Sequence, residues 1–190
     1  MPYLYNDYNE ILQEVKNKTK CWEEYGISSR WFSDTFLYYC KADNNGIATA
    51  IQQCAELFFH RCIADQKPVV GCLAYGDLYA DDEEDILLGP GLIEAYQSAE
   101  QQDWIGLIVT DDAKEEWAKL NDAFLRGYVD YDVPLRGGCK KRLLAFRFAR
   151  KPAAFDYLGN IRRMKDDCAN DSRAVKKIRK NRGIYGVGKR

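Results

Sequence analysis

Residues 27–40 read Ile-Ser-Ser-Arg-Trp-Phe-Ser-Asp-Thr-Phe-Leu-Tyr-Tyr-Cys. Two β-favouring, aromatic runs, Ile27 to Phe32 and Thr35 to Cys40, are separated only by Ser33 and Asp34. A two-residue connection is the common short hairpin link, so the stretch predicts a β-hairpin with Asp34 at its tip, although the usual Asn-Gly is missing. Working outward, Tyr8, Ile11, Leu12, Val15, Trp22 and Tyr25 approximate helical spacing upstream, and Gly26 stands where a helix would stop. This predicts a first helix over Asn6 to Glu24. Downstream, the turn signal Asp43-Asn44-Asn45-Gly46 precedes Ile47, Ala50, Ile51, Cys54, Leu57, Phe58 and Cys62, one face of a second helix ending near Asp65.

Beyond Pro68 the apolar run Val69 to Tyr75 predicts a strand that bends or bulges at Gly76-Asp77 and continues through Leu78 to Ala80. The acidic loop Asp81 to Asp85, a short run Ile86 to Leu88 and the turn Gly89-Pro90-Gly91 lead to a third helix, Leu92 to about Gln102. Trp104 to Val109 reads as a buried strand. A fourth helix follows to about Arg126, with Thr110 or Asp111 as N-cap. Strands Tyr128 to Val133 and Leu143 to Phe148 flank a turn holding Pro134, Gly137 and Gly138. Strands and helices in an order that does not strictly alternate predict an α+β fold, one sheet with helices on one face.

The chain has 190 residues, of which 46% are hydrophobic and 30% charged, enough apolar material for a packed core and too much for wholesale disorder. A body over 1–150 and a basic extension over 151–190, partly helical and then disordered, are the expected divisions. No apolar run reaches the length of a membrane span, and the N-terminal MPYLYNDYNE carries acids where a signal peptide carries positive charge. The protein is therefore expected to be soluble and cytoplasmic. Seven cysteines without a CxxC pair fit reduced, mostly buried thiols, and one histidine excludes a His-rich metal centre. The net charge of −1 conceals an asymmetry. Residues 139–190 hold 17 Lys and Arg against 4 acids, leaving 11 and 25 in residues 1–138.

The segments FSDTFLYYC (32–40), VVGCLAYGDLY (69–79), ILLGPGLIEAYQSAE (86–100), DWIGLIV (103–109) and YDVPLRGG (131–138) share an order and spacing. In these the chain resembles the catalytic domain of the class III nucleotidyl cyclases, most closely the small bacterial versions that include relatives of antiphage pyrimidine cyclases. The resemblance implies a ferredoxin-like cyclase sheet lacking its first strand, and a homodimer formed through the sheet face and third-helix region. It also implies conversion of a nucleoside triphosphate to a cyclic nucleotide in signalling. In that reaction the ribose 3′-oxygen attacks the α-phosphate, which calls for Mg²⁺ or Mn²⁺ held by hard carboxylate oxygens. On this resemblance Asp34 is a metal ligand and Arg30 reads the base, with Asp85 or Ile86 at the place of its partner on the neighbouring strand.

Two departures accompany the likeness. The resemblance implies a first metal aspartate on a strand ahead of helix one, in an Asp-Ile/Leu-x-Gly-Phe context. Residues 1–7 read MPYLYND, where Asp7 is the one carboxylate and lacks that context. Such a strand would lie ahead of the sequence given, or the chain is not a catalyst. The resemblance also implies an Asn and an Arg on the third helix, and alignment on Gly89 and Ala95 puts Ile93 and Gln97 there. The alternative function is accordingly a catalytically inactive, nucleotide-binding or dimerising regulatory module.

Other candidates read as structural. His60 lacks a patterned Ser, Cys or Asp partner, and Cys54 and Cys72 read as core residues. Residues 81–85 lack the glycine and alternating ligands of a calcium loop and read as a solvated hairpin tip. The basic tail with KKIRK and Tyr185 lacks a nucleic-acid-binding fold, so it is expected to lie against the acidic body and nucleic acid is not the expected partner.

Overall fold

The computed structural model describes residues 2–19, 24–41, 45–120, 126–147 and 157–167. Among them are five α-helices and eight strands, a mixed α+β fold. The chain divides into two units, Met1–Cys62 and Ile63–Arg190.

The first unit begins with α1 (Pro2–Lys18), which starts before the expected Asn6 and stops well before Glu24. Ile11 and Val15, four residues apart, are fully buried. At its end both the amide and the hydroxyl of Thr19 donate to the Val15 carbonyl, at 3.0 and 2.6 Å, completing the last turn. Strands β1 (Ser28–Phe32) and β2 (Thr35–Tyr39) form the predicted antiparallel hairpin, with Phe32 opposite Thr35 and Arg30 opposite Leu37. Helix α2 (Asn45–Ala64) buries Cys54, Phe58 and Cys62. Arg61 reaches Glu14 of α1 at 2.9 Å.

The second unit is built on a four-stranded sheet in the order β3-β6-β8-β7. Strand β3 (Val70–Leu73) is parallel to β6 (Gly106–Val109), whereas β8 (Lys140–Phe146) is antiparallel to both β6 and β7 (Tyr128–Pro134). All four residues of β6 are buried, as a central strand covered on both faces requires. The run through Gly76 is not one bent strand. Instead β4 (Tyr79–Asp81) pairs with β5 (Ile86–Leu88) in a separate two-stranded sheet. With the β1–β2 hairpin also separate, the described strands form three hydrogen-bonded sheets where the sequence suggested one.

The break after β3 has a steric cause. Residues 76–78 run directly against the start of α3 (Pro90–Glu100), where the Gly91 amide donates to the Asp77 carbonyl at 3.1 Å. Gly89 has φ 149°, and a Cβ there would lie 2.4 Å from the Asp77 carbonyl oxygen. Only glycine permits that approach.

Helix α4 (Asp111–Leu120) is capped by Thr110, whose hydroxyl accepts the Ala113 amide at 3.3 Å, as expected of one of the two candidate caps. Ala113 and Trp117 form its buried stripe. Helix α5 (Tyr157–Asp167) buries Ile161 and Met164, and the Asn160 amide donates to the Ala64 carbonyl at 3.1 Å. Trp22, the first residues of the turn at 43–46, the end of the expected fourth helix and the basic tail lie outside the described residues. Among the described residues no helix is long and apolar enough to cross a membrane.

One buried amide joins parts of the second unit. Gln102 is fully buried and donates to the carbonyls of Gly71 in β3 and Ser98 in α3, at 3.0 and 3.2 Å, while accepting the indole N–H of Trp104 at 2.8 Å. Its backbone bridges Leu135, just beyond β7. Gln102→Leu would keep the bulk but strip a partner from the buried Trp104 indole and from two part-buried carbonyls. It should lower the unfolding free energy by about 2 kcal/mol or more, measured by denaturant titration, and an unchanged midpoint would show that Gln102 is dispensable.

Candidate functional site

Asp34 is exposed at the β1–β2 turn, after Ser33, which adopts φ 55°. The Trp31 indole N–H donates to the Ser33 carbonyl at 2.9 Å. Trp31 in turn stacks on Phe36, with centroids 5.0 Å apart and planes at 25°. Phe36 meets Tyr8 of α1 at 5.1 Å and Phe58 of α2 at 4.9 Å, and Phe58 also meets Tyr38 edge-on at 5.8 Å. These rings lie on one face of the hairpin. Directly opposed residues share a face in an antiparallel pair, so the register puts Arg30, Leu37, Phe32 and Thr35 on the other face. Arg30 there is half-buried and Phe32 is 52% exposed. The hairpin thus has a core face of packed rings and a second face with a guanidinium, an open phenyl ring and a carboxylate at the tip.

Asp85 and Ile86 lie in the second unit. Asp85 is exposed in the β4–β5 turn with φ 54°, and Ile86 is the first residue of β5, opposite Asp81. The turn is organised by Asp81. One carboxylate oxygen accepts the amides of Glu83 and Glu84 at 3.1 Å each, and the other accepts the Tyr79 hydroxyl at 3.3 Å. The Glu84 amide most of all, opposed next by desolvation and then supported by the Glu83 amide and the Tyr79 hydroxyl, holds this carboxyl below its usual range. This is turn chemistry in a solvated tip.

The two α3 positions singled out by alignment, Ile93 and Gln97, are both exposed. Asp7, the carboxylate nearest to the expected first metal aspartate, sits within α1 and not on a strand. Among the described residues no group of three or more His, Cys, Asp or Glu side chains is placed to hold a metal ion. Asp34 matches a divalent cation in donor chemistry, a hard exposed oxygen, and not in number. An ion there would take its remaining ligands from phosphate and water.

A cleft of about 450 Å³ in the second unit is lined by Tyr75 and the carboxylates of Asp77, Glu94, Asp112, Glu115 and Glu116. Its sign repels a triphosphate. His60 is buried in α2, and Cys54 and Cys62 are buried free thiols, whereas Cys40 and Cys72 are half-buried and Cys139 is exposed. Burial, with Glu94 adding to it and the Ser98 hydroxyl opposing it, pushes the Cys72 thiol up to about 12, so it stays protonated and unreactive at neutral pH. Sequence reasoning passed over Trp31 and Phe32. The signal available was strand alternation, which sets Trp31 on one face and Phe32 with Arg30 on the other.

Comparison with protein families, with characterised proteins and with solved structures gave no match.

A depressed Asp81 carboxyl strengthens its turn above the ordinary carboxylate range and releases it as pH falls through the lowered folded value. The amide proton shifts of Glu83 and Glu84 should therefore titrate together with a midpoint below 3.8, the ordinary value. Asp81→Asn should abolish that titration. A midpoint at or above the ordinary value would show that the two amides do not bind the carboxylate in solution.

Proposed function

We propose that the chain is a nucleoside-triphosphate-binding domain of the class III nucleotidyl cyclase type, with a ferredoxin-like core. The observation that carries the reading is the β1–β2 hairpin, which offers Asp34 at an exposed tip and Arg30 on the face away from the packed rings. The order of the remaining elements supports it: a strand, a short hairpin, a helix opened by a glycine turn, and a strand parallel to the first.

In this reading Asp34 binds Mg²⁺ or Mn²⁺ together with the triphosphate, and Arg30 contacts the base through hydrogen bonding or stacking. The cation would supply charge neutralisation on the phosphates and acidify the ribose 3′-hydroxyl. Cyclisation forms the bond from the 3′-oxygen to the α-phosphorus and expels pyrophosphate. It also asks for a cationic side chain near the α-phosphate, and Ile93 and Gln97 offer none. That observation favours the second reading, a nucleotide-binding module that regulates a partner without turnover.

The dimer belongs to the same proposal. Tyr79, Ile86 and Leu88 share one face of the β4–β5 hairpin, and α3 follows directly with Ile93 and Tyr96, all 41–56% exposed. Large exposed apolar side chains on consecutive elements mark a candidate association surface, here with the Asp81 carboxylate on the same hairpin face, and a two-fold dimer would pair it with its own copy. Leu88→Glu with Ile93→Glu should convert a dimer to a monomer in sedimentation equilibrium, and a chain already monomeric would remove this surface from the proposal.

The binding test is direct. ATP, GTP, CTP and UTP titrated calorimetrically with and without Mn²⁺ should show a metal-dependent component that Asp34→Asn abolishes, whereas the 190-residue chain alone should make little or no cyclic nucleotide. Metal-dependent binding that survives Asp34→Asn would take Asp34 out of the site. Robust turnover would overturn the module reading.

A further inference from the structure

We propose that Trp31 is the positioning residue for Asp34, a role that rests on the reading of Asp34 as the metal-binding carboxylate. The carbonyl of Ser33 and the amide nitrogen of Asp34 belong to one planar peptide unit. A donor that grips this carbonyl therefore fixes the orientation of the plane from which the Asp34 Cα and carboxylate depart. Trp31 is that donor, at 2.9 Å.

The grip matters because of the turn's conformation. Ser33 has φ 55°, a region disfavoured for a residue with a side chain, and its strain persists only where the surroundings over-determine it. The link lacks the glycine or Asn-Gly that would adopt a positive φ at low cost. The restraint comes from the neighbouring strand residue.

Trp31 is itself held. Its ring stacks on Phe36 at 5.0 Å and meets Tyr8 edge-on at 6.3 Å, while Phe36 rests on Phe58 at 4.9 Å. The path from the core of the first unit to the tip is thus Phe58, Phe36, Trp31, the Ser33 carbonyl, Asp34. An exposed carboxylate gains from such support because a cation that shares its ligands with phosphate requires a prearranged oxygen.

Trp31→Phe keeps a ring in the stack and removes the N–H. If it disturbs the fold, benzothienylalanine introduced at position 31 keeps the bicyclic shape and removes only the donor. Two measurements on the 190-residue chain decide the matter. Without metal, ¹⁵N relaxation dispersion should detect new microsecond-to-millisecond exchange at Ser33 and Asp34 in the variant, with the rest of β1 and β2 unchanged. With Mn²⁺, the metal-dependent part of nucleoside triphosphate binding should weaken on the order of tenfold or more, as for loss of a group that orients a metal ligand, while metal-free binding and the melting temperature hold.

In the Asp34→Asn background the Trp31 change should add nothing, since it acts through that carboxylate. An unchanged metal-dependent affinity, an equal loss in the Asp34→Asn background, or a turn that stays ordered without the indole would each overturn the positioning role alone. Absence of any metal-dependent binding in the unaltered chain would overturn the reading of Asp34, and this role with it.

Discussion

The buried amide of Gln102 is the constraint on which the second unit depends. A neutral side chain with two donors and an acceptor is removed from water at the point where α3 ends and the chain turns into β6. Burying such a group unpaired is costly, but here each hydrogen bond goes to a different part of the chain: β3, α3 and the Trp104 indole. Satisfying the amide therefore sets the end of α3 against β3. The Trp104 ring then occupies the space beside Gly106, where a Cβ would lie 2.2 Å from it. Trp104 also stacks on Tyr131 of β7, centroids 5.3 Å apart, and the Asp103 amide donates to the Pro134 carbonyl at 2.9 Å. The entry of the central strand is thereby tied to the end of β7, and α4 leaves from its other end under the Thr110 cap.

The first unit solves its packing differently, with rings in place of an amide. Tyr8, Trp31, Phe36, Tyr38 and Phe58 come from two helices and both strands of a hairpin too small to be stable alone. Burial, with Cys54 and Cys62 contributing, pushes the Tyr38 phenol well above its ordinary range, so this hydroxyl stays protonated. The other face carries the buried Tyr39 and the half-buried Arg30 and leads to the exposed Asp34 at the tip.

Much of this was legible from residue order. The hairpin, both long helices, the buried strand at 106–109 and the Thr110 cap follow from periodicity, turn length and capping chemistry, which are local. What was missed depends on non-local contacts. The apolar spacing of Trp22 and Tyr25 predicts a later end for α1, whereas the helix ends at Lys18. The residue order predicts a bend or bulge at Gly76-Asp77, but the close approach of Gly89 and Gly91 to residues 76–78 joins segments more than ten positions apart. Gln102 sits in the polar string Gln-Gln-Asp, with nothing in its spelling to distinguish it from the exposed Gln101. At the candidate site the placement of Asp34 at the tip was legible from the two-residue link, while the grip of Trp31 on that tip needs side-chain geometry.

The charge distribution narrows what the described residues can do with an anion. On the β7–β8 side three exposed cations are paired, Arg136 with Glu100 at 2.9 Å, Lys141 with Asp111 at 3.1 Å and Arg142 with Asp132 at 3.3 Å. Such solvent-exposed pairs contribute little to stability, but they weaken the local field that would draw in a polyphosphate. The cleft under Tyr75 carries the opposite sign altogether. Triphosphate recognition in the proposed reading therefore relies on a cation brought with the nucleotide and seated on Asp34. The absence of a cationic residue at positions 93 and 97 then bears on turnover more than on binding, because neutralising bound phosphates and stabilising charge as it shifts to the leaving group are separate demands. In the proposed reading a hairpin that holds one carboxylate in place would meet the first demand, and the second would require a cationic group that positions 93 and 97 do not supply.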